Sequence, residues 1–197
     1  MEKGEIIKDI CQSLLDENKE ECRQIANEKY PFVSYLAEKR NYTPFQQTRV
    51  FLRDGFIDRY SGKKLLFPGI FRILKLELPD VFPAHLNWKM TETHIVYWEL
   101  FPTVDHVHPI TRGGMDREDN WITTSMLRNS AKSNWTLEEI GWAIKEPGEL
   151  KAWDGLINIF TELIKKNSGL LADAYIKRWH GALIRTLAEK STPLNIR

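Results

Sequence analysis

The chain has 197 residues, 42% of them hydrophobic and seven of them tryptophan, which is material for a packed core and argues against wholesale disorder. A formal charge of +1 at pH 7 excludes binding to nucleic acid by bulk positive charge. Two cysteines, Cys11 and Cys22, are too few for a four-thiolate zinc site or a disulfide scaffold. Charges interrupt every apolar run and the N-terminus lacks a signal-peptide core, so the expected compartment is cytoplasmic, with no membrane partner.

Taken in chain order, residues 5–26 predict one amphipathic helix, with Ile6, Ile7, Ile10, Leu14, Leu15 and Ile25 at helical spacing. Pro31 ends it. "TPFQQTRVFLRDG" predicts a second helix, with Thr43 as N-cap, Pro44 in first position and Gly55 beyond the end. "FIDRYSGKKLLF" reads as two short strands about a Ser61–Gly62 turn. "PGIFRILKLELPD" reads as a helix between Pro68 and Pro79, with a strand as the alternative its apolar richness leaves open, residues 80–94 are loop, and the β-branched and aromatic "HIVYWELFPTVDHVHP" is extended. An acidic loop, Asp116 to Asp119, leads to a strand in "NWITTS" and a short helix in "SMLRNSAKSN", capped by Thr124 or Ser125.

From residue 136 the chain reads as helical, over 137–145, 151–166 and 172–189, with "EPGE" and "NSG" as breakers. In the last of these, Tyr175, Trp179, Leu183 and Leu187 predict a buried stripe, and Lys177, Arg178, Arg185 and Lys190 a polar face. Residues 45–76 hold seven Lys and Arg against Asp54 and Asp58, a local surface open to phosphate or simply a solvated face.

The chemistry concentrates in "VDHVHPITRGG", residues 104–114. Asp105 and His106 close the first strand, and a helix packed across the hairpin brings Asn129 toward them. Asp and Asn supply hard oxygen ligands suited to Mg²⁺ or Mn²⁺. Strand alternation turns His106 away from its neighbour and leaves it as a general base.

Residues 104–135, "VDHVHPITRGGMDREDNWITTSMLRNSAKSNW", resemble the ββα-metal core of HNH endonucleases, in the subtype with signature His, Asn, Asn. The matching positions are His106, Asn120 and Asn129, spaced 14 and 9 apart, with Asp105 before the histidine and Lys132 in an "N-x-x-K" run. The resemblance implies an α+β fold with a small ββα-metal hairpin–helix core in a mostly helical domain and an all-helical C-terminal extension. It divides the chain into an N-terminal helical segment (1–44), the nuclease core with its basic lead-in (45–135) and the extension (136–197).

By the same resemblance, His106 activates water and one Mg²⁺ or Mn²⁺ is held by Asp105 and Asn129. The substrate is DNA, with double-stranded DNA the expected partner, and the ends are 5′-phosphate and 3′-hydroxyl. Asn120 is expected to brace the backbone of the 107–119 loop. His108 is hydrogen-bonded at the loop base, a second phosphate contact or an alternative ligand, and Lys132 and Arg112 are phosphate contacts. A homodimer is possible, because one core cuts one strand. The competing reading is a nucleic-acid-binding or accessory subunit of a defence or mobile-element system, inactive without a partner.

One departure stands out. Many such cores carry a CxxC zinc knuckle, and here "DRYSGKKL" has its shape without cysteine, so no structural zinc is expected. Packing of Tyr60, Trp98, Trp121 and Trp135 is expected to supply the stiffness, and Trp142 and Trp153 are core residues or base-stacking platforms.

Overall fold

The computed structural model describes residues 2–34 and 42–191. It divides between residues 36 and 37 into two compact units. The first is a pair of helices, α1 (Lys3–Leu15) and α2 (Lys19–Lys29), in place of the single helix expected over 5–26. The break has a local cause. Glu17 adopts φ 55, and the Asn18 side chain accepts the Glu21 N–H, capping a new helix. Apolar periodicity runs through the break without registering it.

The second unit is α+β. Its helices are α3 (Pro44–Arg53), α4 (Pro68–Glu77), α5 (Val96–Glu99), α6 (Met126–Lys132), α7 (Leu137–Ile140), α8 (Ile157–Lys166) and α9 (Ala174–Ser191). Among its described residues two strands, β1 (Pro102–His106) and β2 (Trp121–Ser125), pair antiparallel from Pro102↔Ser125 to His106↔Trp121. Thr43 and Gln46 form a full capping box on α3, and Ser125, not Thr124, caps α6.

Several expected elements differ. The run from His94 opens as helix: His94 Nδ1 accepts the Val96 N–H, and Tyr97 and Trp98 bury against Phe71, so only residues 102–106 are strand. The helix expected over 137–145 stops at Ile140, because Gly141 takes a left-handed conformation. The one expected over 151–166 begins at Ile157, after Gly155 and Leu156 at positive φ, with Asp154 accepting the Leu156 and Asn158 N–H groups.

The irregular stretch between these helices lies against the first half of the unit. Lys145 N–H donates to the Arg59 carbonyl and Gly148 N–H to the Asp54 carbonyl. A Cβ on Gly55, which has φ 64, would stand 2.2 Å from the Gly148 oxygen, so two backbones meet where no side chain fits.

The core behind the hairpin is assembled from both ends of this unit. Val50 and Phe51 of α3, Phe56, Phe67, Phe160 of α8 and Ile176, Trp179 and Leu183 of α9 share one cluster with Val104 and Trp121. On α9 the buried stripe is Ile176, Trp179, Leu183 and Thr186, while Leu187 is 37% exposed. The spacing of four drifts off the face that the 3.6-residue turn keeps buried. The Lys190 side chain lies outside the described residues.

Around the cysteine-free segment 57–64, two carboxylates do the bracing. The segment 57–64 makes one bridge, Ile57↔Lys64, rather than two strands. Asp58 accepts from the Tyr60 and Ser61 N–H groups, the Thr124 hydroxyl and the Ser125 N–H, tying the turn to the end of β2. Asp54 accepts from Arg53, Arg59 and the Thr123 N–H. Tyr60, Trp98 and Trp121 are buried as expected of a packed brace, whereas Trp135 is 50% exposed and contributes little to it.

Candidate active site

Strand alternation separates Asp105 from His106. Asp105 faces α6, where its Oδ2 accepts the Tyr60 hydroxyl at 2.6 Å and pairs with the Lys132 ammonium at 3.0 Å. Burial, and next the Asp105 charge, push the Tyr60 phenol well above its ordinary range, so it remains a neutral donor. Lys132 also donates to the His106 carbonyl at 2.7 Å and is 0% exposed. This corrects its expected role: an ammonium with no accessible surface and two acceptors already engaged is not a phosphate contact. The i, i+3 spacing from Asn129 placed it near the site but could not say that it points inward.

Asn129, on the same helix, donates its Nδ2 to Thr103 Oγ1 at 3.0 Å and to the Val104 carbonyl at 3.4 Å. These bonds fix the amide and leave its Oδ1 with no donor among the described residues, as is Asp105 Oδ1. Each is a hard oxygen with capacity for a cation.

His106 packs on the opposite side of β1, 2% exposed. Its Nε2 lies 2.9 Å from Asp116 Oδ1, 2.9 Å from the Tyr42 hydroxyl and 3.1 Å from Trp121 Nε1. The same Asp116 oxygen receives the Trp121 indole N–H at 2.9 Å and the Tyr42 hydroxyl at 3.1 Å. A carboxylate among three donors calls for a proton on Nε2, which assigns the tautomer and leaves Nδ1 as the acceptor. Burial raises the Asp116 carboxyl, but hydrogen bonds from His106, Trp121 and Tyr42 outweigh it and hold it below the usual carboxylate range.

The loop between the strands is closed by Asn120. Its Oδ1 accepts the His108 N–H at 2.9 Å, and its Nδ2 donates to the His108 and Met115 carbonyls, each at 2.9 Å. All of these bonds go to loop backbone. His108 is exposed, and its Nε2–H donates to the Arg112 carbonyl at 2.9 Å. Gly113 has φ 90, and a Cβ on Gly114 would sit 2.0 Å from the His108 oxygen. Arg112 remains at the surface, 3.6 Å from Glu139 and over the Trp135 ring.

A cleft of about 670 Å³ runs beside this loop, lined by Arg53, Arg59, His108, Arg117 and Asn120 among others. The positive excess of residues 45–76 is largely spent inside the protein. Arg53 and Arg59 bind Asp54, Arg49 pairs with Glu118, Arg72 with Asp173, and Lys75 donates to the Ala84 carbonyl. Trp153 is anchored by its indole N–H on the Leu65 carbonyl, and Trp142 rests on Tyr60 with Arg128 over it. Neither indole is a free stacking platform.

Sequence reasoning missed Tyr42 and Asp116, and saw Tyr60 only as packing. Asp116 was visible as one acid in a loop, with nothing local to mark it as the histidine's partner.

Among the described residues, no three His, Cys, Asp or Glu side chains gather in a way that would hold a metal ion. The Asp105–Asn129 pair still fits Mg²⁺ or Mn²⁺ in donor chemistry, since such ions take hard oxygens from one or two side chains and keep several waters. No helix among the described residues is long and apolar enough to cross a membrane. No protein-family model, curated protein or solved structure matches the chain.

Proposed function

We propose that the chain is a divalent-metal-dependent endonuclease of the HNH kind, hydrolysing phosphodiester bonds in DNA. The observation that carries this reading is the pair of undonated oxygens, Asp105 Oδ1 and Asn129 Oδ1, on side chains whose other polar atoms are held by hydrogen bonds, with His106 and its Asp116 partner across β1. Mg²⁺ or Mn²⁺ held by Asp105 and Asn129 would supply Lewis-acid stabilisation of phosphate charge. His106 Nδ1 takes the proton of the attacking water, while Asp116 holds Nε2–H and stabilises the imidazolium. Asn120 keeps the loop, and through it the end of β1, in one conformation. Arg112, at the surface 3.6 Å from Glu139, is an exposed cation that would meet a phosphate.

A second reading draws on the burial of His106. With Tyr42 against both ring nitrogens, at 2.9 Å and 3.4 Å, the resting chain is closed to water at its base. That favours a subunit silent until nucleic acid or a protein partner displaces Tyr42. Nicking of supercoiled plasmid in Mg²⁺ or Mn²⁺, compared across wild type, His106→Ala and an EDTA control, tests both. Metal-dependent nicking lost in the variant supports the free-standing enzyme. Duplex binding without cleavage moves the case to the silent subunit.

A further inference from the structure

The candidate cation site is unusual in its charge. Asp105 is its carboxylate and Asn129 its neutral ligand, and the carboxylate already carries the Lys132 ammonium at 3.0 Å. Lys132 cannot swing away cheaply. It is 0% exposed, and the His106 carbonyl fixes its Nζ from the other side at 2.7 Å. Other acids nearby are committed elsewhere: Asp116 lies across β1 with His106, and Asp58 is filled by four donors. The bare site therefore sums to zero formal charge.

Affinity for hard divalent cations follows the number of charged oxygens offered. A neutral set with a fixed ammonium beside it is a poor trap for a dipositive ion in water. A phosphodiester supplies the missing negative charge. We propose that Lys132 is a built-in counter-cation that keeps the protein from loading metal alone, so that a divalent ion is captured together with a nucleic-acid phosphate. The inference rests on the nuclease reading and adds an order of assembly to it. Coupling between two ligands is reciprocal, so the metal raises affinity for the duplex by the same factor.

Free Mn²⁺, followed by its electron paramagnetic resonance signal, tests the inference on the full chain. Wild type is titrated with Mn²⁺ alone. His106→Ala, used to prevent turnover, is titrated with Mn²⁺ in the presence and absence of a short DNA duplex, with the duplex alone subtracted. Expected are weak millimolar binding without DNA and a gain of about tenfold or more with it, equivalent to at least roughly 1.4 kcal/mol. Lys132→Met should bind Mn²⁺ alone at least tenfold more tightly than wild type, and Lys132→Arg should not.

Micromolar binding of Mn²⁺ by wild type alone, lost in Asp105→Asn, overturns the inference, as does an unchanged affinity in folded Lys132→Met. Should Lys132→Met fail to fold, the titrations with and without duplex decide, and no gain with duplex overturns the proposal. Tight metal binding with intact plasmid cleavage removes the inference and leaves the nuclease reading standing. Metal-independent cleavage, or none, removes that reading itself.

Discussion

Replacing Asp58 tests whether its carboxylate is what ties the 58–62 turn to the end of β2. The side chain is 1% exposed and accepts four hydrogen bonds, at 3.0 Å from Tyr60 N, 3.2 Å from Ser61 N, 3.1 Å from Thr124 Oγ1 and 3.2 Å from Ser125 N. Asp58→Ala removes every acceptor at once. The Ser61 N–H, in a half-exposed residue, finds water. The remaining three donors are buried and each costs about 1–3 kcal/mol when left unpaired, so after partial relaxation the loss is about 4 kcal/mol. Asp58→Asn keeps Oδ1 for three of the donors and presents an amide N–H to Ser125 N, for a loss of about 2 kcal/mol. In a chain of this size 1 kcal/mol moves Tm by roughly 2–4 °C, so the alanine variant should melt roughly 8–16 °C lower. Urea unfolding followed by tryptophan fluorescence gives both values as shifts in midpoint at constant slope. A loss below about 1 kcal/mol for Asp58→Ala, under the cost of one unpaired donor, would show that Tyr60 and its aromatic neighbours hold the turn without the carboxylate.

Two further outcomes follow from particular contacts. Asn120→Ala removes the three bonds that close the loop and should lower plasmid nicking by about 10- to 100-fold, at a stability cost of about 2 kcal/mol. Equal nicking by variant and wild type would mean the loop needs no such brace. Asp173 is held below the usual carboxylate range first by Arg72 and also by the Ile176 and Tyr175 N–H groups that it caps. A depressed carboxyl adds stability that is present above its unfolded value, about pH 4, and lost as pH falls through its folded value. Asp173→Asn should therefore flatten the acid limb of a Tm-against-pH curve below about pH 4, and an unchanged limb would count against the ion pair as its source.

What was legible in the sequence was chemistry that acts within a turn or two of chain. Thr43 with Gln46, Pro44, Pro68 and Ser125 mark helix starts because a cap needs only its neighbours. The order strand, loop, strand, helix around Asp105, His106, Asn120 and Asn129 was legible for the same reason. Apolar content without clean alternation did not separate α5 from a strand, since Tyr97 and Trp98 are decided by Phe71, far away in sequence. The irregular stretch before α8 exists because Gly148 must reach Gly55, a meeting no local window contains. At the site, spacing gave the face of α6 that carries Asn129 and Lys132, but which of them stays open depends on Tyr60 and Asp105. The partners of His106 come from a loop and from the residue before the α3 cap, and only the folded chain brings them together.

The wall behind the hairpin has a consequence for a chain being made on the ribosome. Residues 102–132 contain β1, β2 and α6 in one local stretch, yet Val104 and Trp121 are backed by Trp179 and Leu183 of α9. At about 5–20 residues per second, roughly 55 residues separate the end of β2 from Trp179, a lag of roughly 3–11 s. During that interval a nascent chain carries Asp105, His106 and Asn129 but lacks the α9 side chains that back Val104 and Trp121. Emergence of α9, rather than emergence of the hairpin, is then the event that completes the wall behind the candidate site.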